Sequence, residues 1–387
     1  MTISAVWRSG DYAYMCSDTA ESGRADTAFP VSSFDEEASA SELNAQERAL
    51  KLVQVGTHGI ATASGDGTVA RLIMDQLDAL TTDELGHGVE AALALAANRA
   101  GLNDAVVCTA TWLCAEWRDG ALSTFRWPHA ASGAKEPPCR DAAALLAGNL
   151  TKDLADGFCH VGGHTLAGLR AQRDAGASLP KTAELSMIAA TFQAIILSEG
   201  LCAARGIGGA VVAARVGPEG VLWIPDTLYV ISNPDLVRRV AIGSGGRAEL
   251  ADLASFVVCL AVREGCLFLG STCRDSARVL VPGEEKRAEG RWRARWEGEI
   301  LAPSFWSRSQ CVVFLNPVQR AITTFIGDFT KMNRLLRLTV DPATDTLAGE
   351  FYPGIQEHLA DVGRPGEPWR ARFDAVPPFN VPGPEPT

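Results

Sequence analysis

The sequence lacks any apolar run of about 18 or more residues, the length that a transmembrane helix requires. Residues 1–14 also lack the basic start and apolar stretch of a secretory signal, so we expect neither a membrane span nor a cleaved leader. No CxxC pair occurs, although the chain has ten cysteines, which lie mostly inside apolar runs. We interpret them as small buried hydrophobes of a protein in a reducing compartment, which predicts a cytoplasmic location.

Positive charge is in the minority. The 35 Lys and Arg residues against 46 Asp and Glu give a net charge of -11. Because phosphate binding needs a concentrated positive field, this balance argues against nucleic acid as the main partner, although it does not exclude a local basic patch. The hydrophobic share of 47% is ordinary for a folded protein, and 387 residues allow two domains or one domain with large additions.

The first 80 residues have the pattern of paired strands followed by a helix. A polar, acidic stretch at 20–47 interrupts this pattern and is interpreted as a loop insertion. The predicted elements are strands at 3–7, 12–16, 51–55 and 60–63 and an amphipathic helix at 68–80.

Residues 81–225 continue the alternation of helices and hairpins. The predicted elements are a helix at 89–99, a hairpin at 105–127, a short helix that opens at the glycine-rich 161–164, a helix at 181–199 and a hairpin at 210–224. This order is typical of an α+β fold in which two antiparallel sheets pack face to face between helices, a four-layer α/β/β/α sandwich. We therefore predict a sandwich domain at 1–225 and a C-terminal extension at 226–387, in which the apolar run at 248–262 is predicted to be a helix.

The N-terminus carries the strongest chemical signal. An N-terminal threonine is nucleophile and base in one residue, because its free α-amine, with a pKa of about 8, can take the hydroxyl proton. Only Met1 precedes Thr2, and a small residue at position 2 normally permits removal of the initiator methionine. We therefore expect Thr2 to become the first residue without a propeptide.

Three further features follow within the first 70 residues. Asp18 ends the second predicted strand, Lys51 begins the third, and the segment IATASGD at 60–66 leads from the fourth strand into the first helix. With Thr2 at the start of the first strand, these features resemble the proteasome β-subunit family of N-terminal-nucleophile (Ntn) hydrolases. They also resemble the bacterial peptidase partner of an unfolding ATPase.

The resemblance implies a role for each of these residues. Lys51 would donate to the Thr2 hydroxyl and lower its pKa, and Asp18 would hold Lys51 in place. The backbone N–H of Thr62 would stabilise the oxyanion, at a position where the family usually has glycine. The substrate pocket would be lined by alternate residues of one strand, Ile60 and Ser64.

The family's accessory serine has two candidate positions here. If 160–224 supplies the later helices and strands in order, the serine falls at Gly163 and is lost. If 241–246 is instead the family's Gly-Ser-Gly turn, Ser244 supplies it, at the cost of a long insertion between the first two helices.

The resemblance implies a threonine-dependent amide hydrolase, best suited to peptides, that acts through an acyl-enzyme without metal or cofactor. It further implies a homo-oligomer, a ring or stacked rings joined through outer helices, with an ATPase as a candidate partner. The alternative is an inactive protein of the same fold that builds a ring or shell, with 226–387 as its contact module.

Three other segments were weighed as sites. The glycine-rich run around Cys159, His160 and His164 is interpreted as a turn and not as a zinc site, because no fourth ligand is evident. The turn at 243–246 lacks the Lys-Ser/Thr of a phosphate loop. The Trp- and Arg-rich stretch at 291–306 is surrounded by acidic residues, which favours a protein contact over nucleic acid.

Overall fold

The computed structural model describes most of the first 232 residues and isolated segments after them, and the statements below concern these residues only. They are residues 2–22, 34, 45–47, 49–128, 144–148, 151–176, 179–201, 206–232, 248–249, 254–263, 265–271, 276–280, 309–316, 321–327, 335–341, 346–351 and 370–375. Ser244 and the stretch at 291–306 lie outside them. The described residues form a mixed α+β structure with several antiparallel sheets, in agreement with the α+β part of the prediction.

The elements are numbered in chain order. The helices are α1 (Gly67–Asp78), α2 (Thr82–Gly86), α3 (Val89–Arg99), α4 (Asp104–Val107), α5 (Lys152–Asp174) and α6 (Ala183–Ser198). The strands up to residue 232 are β1 (Ile3–Ser9), β2 (Tyr12–Asp18), β3 (Ala20–Ser22), β4 (Ala45–Glu47), β5 (Leu52–Val55), β6 (Gly59–Gly65), β7 (Ala110–Arg118), β8 (Ala121–Trp127), β9 (Ala144–Gly148), β10 (Val211–Gly217), β11 (Gly220–Trp223) and β12 (Thr227–Ser232). The later strands are β13 (Ala248–Glu249), β14 (Ala254–Arg263), β15 (Cys266–Ser271), β16 (Ser276–Leu280), β17 (Cys311–Asn316), β18 (Ala321–Ile326), β19 (Leu336–Asp341), β20 (Thr346–Phe351) and β21 (Arg370–Ala375).

Two antiparallel sheets pack on each other in the N-terminal part. One has the order β11-β10-β2-β1-β9 and the other the order β5-β6-β7-β8. Helices α1 and α3 pack on the outer side of the second sheet, through β6 and β7, and α5 and α6 pack on the first, through β1, β9, β10 and β2. The strands and helices predicted for 1–103, 181–199 and 210–224 are confirmed within a few residues at each end. The hairpin predicted at 105–127 begins only at Ala110, because Asp104–Val107 is the short helix α4.

Helix α1 begins where the cavity described below ends. The Asp66 carboxylate accepts the N–H groups of Thr68 at 2.9 Å and Val69 at 3.2 Å, which satisfies two donors that the first helical turn leaves free. Val69, Ile73 and Leu77 then bury one face of the helix against the sheet. The cap thus fixes the point at which strand β6 turns into the helix.

The prediction of a glycine-rich turn at 161–164 is wrong. The segment lies in the middle of α5, a helix of 23 residues. Gly162 has a packing reason to be glycine, since a Cβ there would stand 2.3 Å from the ring of Trp7. The glycine signal therefore marks a close helix-to-strand approach and not a break in the helix.

The prediction of an apolar helix at 248–262 is also wrong, because this segment contains strand β14. A continuous apolar run is typical both of a buried helix and of a strand covered on both faces. Here β14 lies between β12 and β15 inside a seven-stranded sheet of order β16-β15-β14-β12-β17-β18-β21. Its residues Val257 to Ala261 are buried, which explains the missing polar alternation.

This seven-stranded sheet packs on the outer side of helix α6. Strands β17 and β18 contact α6, whose opposite side contacts β10 and β2. Thirteen of the sixteen residues of α6 are buried. A helix that is apolar nearly all round needs cover on every side, and the C-terminal sheet supplies it here.

Two cysteines depart from the interpretation of all ten as free, buried hydrophobes. Cys159 is disulfide-bonded and Cys108 is exposed. Cys16, Cys114 and Cys259 are buried free thiols, as expected. In the part of the chain that the structure describes, no helix is long and apolar enough to cross a membrane.

We predict that a chain ending at Pro225 loses the stability of its N-terminal part, because α6 loses the cover of β17 and β18. Each large apolar side chain that returns to water costs about 1.5–3 kcal/mol. Urea unfolding followed by circular dichroism measures the loss. A chain that ends at residue 375 serves as the control and should unfold like the full chain. Equal stability of all three chains would show that the extension does not support the sandwich.

Candidate active site

A buried ion pair joins the ends of two strands. The Lys51 Nζ lies 2.9 Å from the Asp18 Oδ1, and the two side chains are 6% and 0% exposed. Lys51 also donates to the carbonyl oxygen of Ala20. Burial raises the pKa of Asp18 above its usual value, and the Lys51 ammonium opposes that shift by favouring the carboxylate.

Asp18 also binds two backbone N–H groups. Its Oδ1 accepts the Ile3 N–H at 3.1 Å, and its Oδ2 accepts the Gly208 N–H at 3.1 Å. The antiparallel pairing of β1 with β2, in which Ser4 lies opposite Ser17, brings the start of β1 beside Asp18. The Asp18 carboxylate therefore connects three parts of the chain: the backbone of Ile3 next to Thr2, the Lys51 ammonium group and the loop before β10.

A cavity of about 340 Å³ opens above this pair. Thr2 lines it and is 8% exposed, and Lys51 lines it as well, whereas Asp18 lies beneath Lys51 and is not part of the wall. The other lining residues are Glu21, Ala49, Leu50, Ala63, Ser64, Gly65, Asp66, Gly67, Thr68, Ala70, Arg71 and Met74. The structure thus brings Thr2, Lys51 and Asp18 together from three separate strand ends.

Gly148, which sequence reasoning missed, lies directly beside Thr2. Strand β9 pairs with β1 so that Gly148 is opposite Ile3. Its φ is +132°, and a Cβ at this position would stand 1.8 Å from the Thr2 carbonyl oxygen. The only sequence signal was a glycine at the end of an apolar run before Thr151, which is too common to be diagnostic.

Of the other predicted site residues, only Ser64 lines the cavity. Its hydroxyl donates to the Thr111 carbonyl oxygen at 3.3 Å. Ile60 is fully buried between the sheets, and the Thr62 hydroxyl lies 2.9 Å from the Ser4 hydroxyl in the same interior layer. Neither Ile60 nor Thr62 is part of the cavity wall.

The register of β6 shows where its N–H groups point. In an antiparallel ladder, N–H groups alternate between the two neighbouring strands. The Asp66 N–H donates to Thr109 beside β7, and the Ala63 N–H donates to the Lys51 carbonyl on the side of β5. By this alternation the Thr62 N–H is committed to Leu113 of β7, its partner in the register. The Thr62 N–H is therefore not available as an oxyanion donor.

Gly65 is the residue whose N–H the same alternation directs toward the cavity. It lies two residues past Ala63, on the side of β5 but beyond the last pair of that ladder, Leu52 with Thr62. Its φ is +95°, and a Cβ would stand 2.5 Å from the Thr109 carbonyl oxygen, so only glycine fits. The resemblance implied this position of the N–H for Thr62, three residues earlier in the strand.

The loop at 206–210 is held by two buried polar side chains. The Glu47 carboxylate accepts the Ala210 N–H at 2.7 Å, and the Gln193 amide binds both Gly209 O at 3.0 Å and the Val211 N–H at 2.9 Å. These bonds fix the backbone that presents the Gly208 N–H to Asp18. Glu47, at the end of the acidic insertion, and Gln193 of α6 thus hold the loop whose Gly208 N–H binds Asp18.

Neither proposed position for the accessory serine reaches the cavity among the described residues. Gly163 lies in α5 and lines a second cavity at the other end of β1, next to Trp7 and Gly10. Ser244 lies outside the described residues. The economical alignment that placed the serine at Gly163 is therefore not supported by the geometry.

The histidines of α5 share a helix face, contrary to the predicted turn. The ring centroids of His160 and His164 are 4.2 Å apart. Within the described ranges, no group of three or more His, Cys, Asp and Glu side chains is placed to hold a metal ion. Two histidines alone do not make a structural zinc site, which uses four ligands.

Cys16 is the thiol nearest in sequence to the ion pair. It is fully buried in β2, and burial together with the Asp18 charge raises its pKa well above the usual value. The reactive form of cysteine is the thiolate, so this environment excludes Cys16 as a nucleophile. Thr2 carries a hydroxyl group and lines the cavity together with Lys51.

Comparison of the sequence with models of known protein families gives no match, and no curated protein is similar to it at a significant level. What the site can do is therefore inferred from its own residues.

We predict that Lys51→Met destabilises the protein by about 3–5 kcal/mol, because it leaves the Asp18 carboxylate buried without its cation. The free energy of unfolding in urea measures the effect. Asp18→Asn in the Lys51→Met background should recover part of the loss. Arg99→Met, which breaks the more exposed ion pair with Glu84, is the matched control and should cost no more than about 1 kcal/mol. An equal loss in the free energy of unfolding for Lys51→Met and Arg99→Met would contradict the prediction.

Proposed function

We propose that this chain is a threonine-dependent amide hydrolase of the Ntn type. The observation that carries the proposal is the shared cavity of Thr2 and Lys51 with Asp18 buried beneath it. The packing of α1 and α3, two antiparallel sheets, and α5 and α6 supports the same assignment, since this is the layering of an Ntn sandwich. Fold alone does not imply activity, so the site carries the argument.

The chemistry follows from the groups around Thr2. The hydroxyl oxygen attacks the carbonyl carbon of the scissile amide, and its proton passes to the α-amine of Thr2. The Lys51 charge favours the developing alkoxide, and the Gly65 N–H is placed to stabilise the oxyanion. Collapse of the tetrahedral intermediate breaks the C–N bond, and the leaving amine takes the proton. Water then hydrolyses the ester on Thr2 and restores the hydroxyl.

An extended peptide is the substrate that the cavity fits best. Beyond Ala63 the β5 side of strand β6 has no partner strand in the described part of the chain. A peptide segment can add to such an edge through main-chain hydrogen bonds, as in other cases of β-augmentation. Glu21 and Arg71, whose charged groups lie 3.9 Å apart, place one charge of each sign in the cavity wall for side-chain selection.

The alternative, an inactive assembly protein of the same fold, is less well supported. A buried ion pair is weak evidence for stability, because desolvation offsets much of the attraction between the charges. Lys51 of the pair lines the same cavity as Thr2, which would give the pair a use in catalysis that a shell protein does not need. The proposal includes a homo-oligomer and an ATPase partner, which the resemblance alone implies.

The proposed mechanism requires a free α-amine on Thr2, which maturation must provide. Intact-mass measurement of the purified protein, with sequencing of its first residues, tests this directly. Thr2 at the N-terminus supports the hydrolase. Retained Met1 would favour the assembly protein, because an amide nitrogen cannot accept the hydroxyl proton.

We predict that Thr2→Ala abolishes hydrolysis of fluorogenic peptide amides and abolishes acylation by a β-lactone probe, with folding unchanged. Thr2→Ser should retain part of both, because it keeps the hydroxyl and the amine. Thr68→Ala is the matched control, since Thr68 is exposed in the wall of the same cavity but has no role in the reaction. Peptide mass spectrometry locates the acyl group. Acylation of the Thr2→Ala protein at the wild-type rate would eliminate Thr2 as the nucleophile.

A further inference from the structure

A second cavity, of about 440 Å³, lies at the opposite end of strand β1 from Thr2. It is bounded by the end of β1, the turn between β1 and β2, and one face of helix α5. The lining residues are Trp7, Arg8, Ser9, Gly10, His160, Gly163, His164, Leu166, Ala167 and Arg170. None of them takes part in the chemistry proposed for Thr2.

The cavity is lined by basic side chains, with no acidic side chain among the described residues. Arg8, Arg170, His160 and His164 line it, and no Asp or Glu does. This is unusual in a chain with a net charge of -11. Six other described arginines lie within 4 Å of a carboxylate; they are Arg71, Arg99, Arg118, Arg173, Arg215 and Arg263. For Arg8 and Arg170, no carboxylate among the described residues lies in that range.

Small residues leave space between the basic side chains of the cavity wall. Gly163 and Ala167 are the small residues of the α5 face that lines the cavity, Gly163 between His160 and His164 in sequence and Ala167 between His164 and Arg170. The Arg170 guanidinium donates to the Ser9 hydroxyl, which fixes it at the edge of the cavity. Trp7 lines the cavity, is 2% exposed, and has an indole N–H that is buried without a hydrogen-bond partner. A buried donor without a partner is costly.

We propose that this cavity binds the phosphate group of a small molecule. Guanidinium groups match phosphate oxygens with paired N–H donors, and two arginines with two histidines provide donors from both sides of the opening. The volume exceeds what a single phosphate fills, which leaves space for the organic part of the ligand. A metal ion fits the cavity less well, since the histidine pair has no third ligand in the described part of the chain.

Inorganic phosphate is the probe, titrated into the full chain at constant ionic strength with chloride as the balancing anion. Calorimetry is expected to show one phosphate bound per chain, and thermal unfolding is expected to shift upward with phosphate but not with chloride. Arg8→Gln combined with Arg170→Gln should weaken phosphate binding at least tenfold, because the double variant removes both guanidinium groups from the cavity. Arg337→Gln is the matched control, since Arg337 is exposed on β19 and carries the same charge.

Ala167→Glu tests the site from the opposite direction. A carboxylate one helical turn from Arg170 and His164 would supply the missing acid, so this variant should fold at least as well as the parent. It should nevertheless bind phosphate at least tenfold more weakly. The proposal is overturned if the wild-type chain does not bind phosphate, or if it responds equally to chloride. Unchanged phosphate binding in both Arg8→Gln/Arg170→Gln and Ala167→Glu would overturn it as well.

Discussion

The Asp18–Lys51 ion pair is the constraint on which the N-terminal structure depends. Removing two charges from water costs several kcal/mol for each ion, and the attraction between them returns this only with good geometry and further hydrogen bonds. The structure provides both, through the 2.9 Å contact and the N–H groups of Ile3 and Gly208. Any element that positions one of these donors is therefore tied to the pair.

This dependence explains why residues far apart in the chain meet in one place. Gly208 is held by Glu47 and Gln193, which come from the end of the acidic insertion and from α6. Strand β9 approaches the Thr2 backbone so closely that only glycine fits at position 148. Hydrogen-bonded backbone and the buried ion pair therefore fix the part of the cavity around Thr2. The charged groups proposed for side-chain selection, Glu21 and Arg71, lie elsewhere in the wall.

The sequence predicted best the elements whose patterns are local. The hairpin of β1 and β2, helix α1 and the meeting of Thr2, Asp18 and Lys51 at strand ends all follow from alternation, helical spacing and strand register. It predicted poorly wherever tertiary contact decides the outcome. The apolar run of β14 is a strand because β12 and β15 pair with its two edges and its residues are buried on both faces, and Gly162 stays helical because Trp7 packs on it. The directions of the Thr62 N–H, toward β7, and of the Gly65 N–H, away from β7, follow only from the pairing of β6 with β7, which no local pattern contains.

The cover over α6 limits how copies of this chain can associate. Stacking through outer helices needs two helical faces that are free of their own chain. Here β17 and β18 occupy the outer side of α6, so the longer helices whose outer sides remain open to a neighbour, among the described residues, are α1, α3 and α5. Leu72 on α1 is 42% exposed, which makes it one of the two large apolar side chains that the described surface leaves open to water. A neighbour bound through α1 would lie beside the Thr2 cavity, because the first residues of α1 form part of the cavity wall.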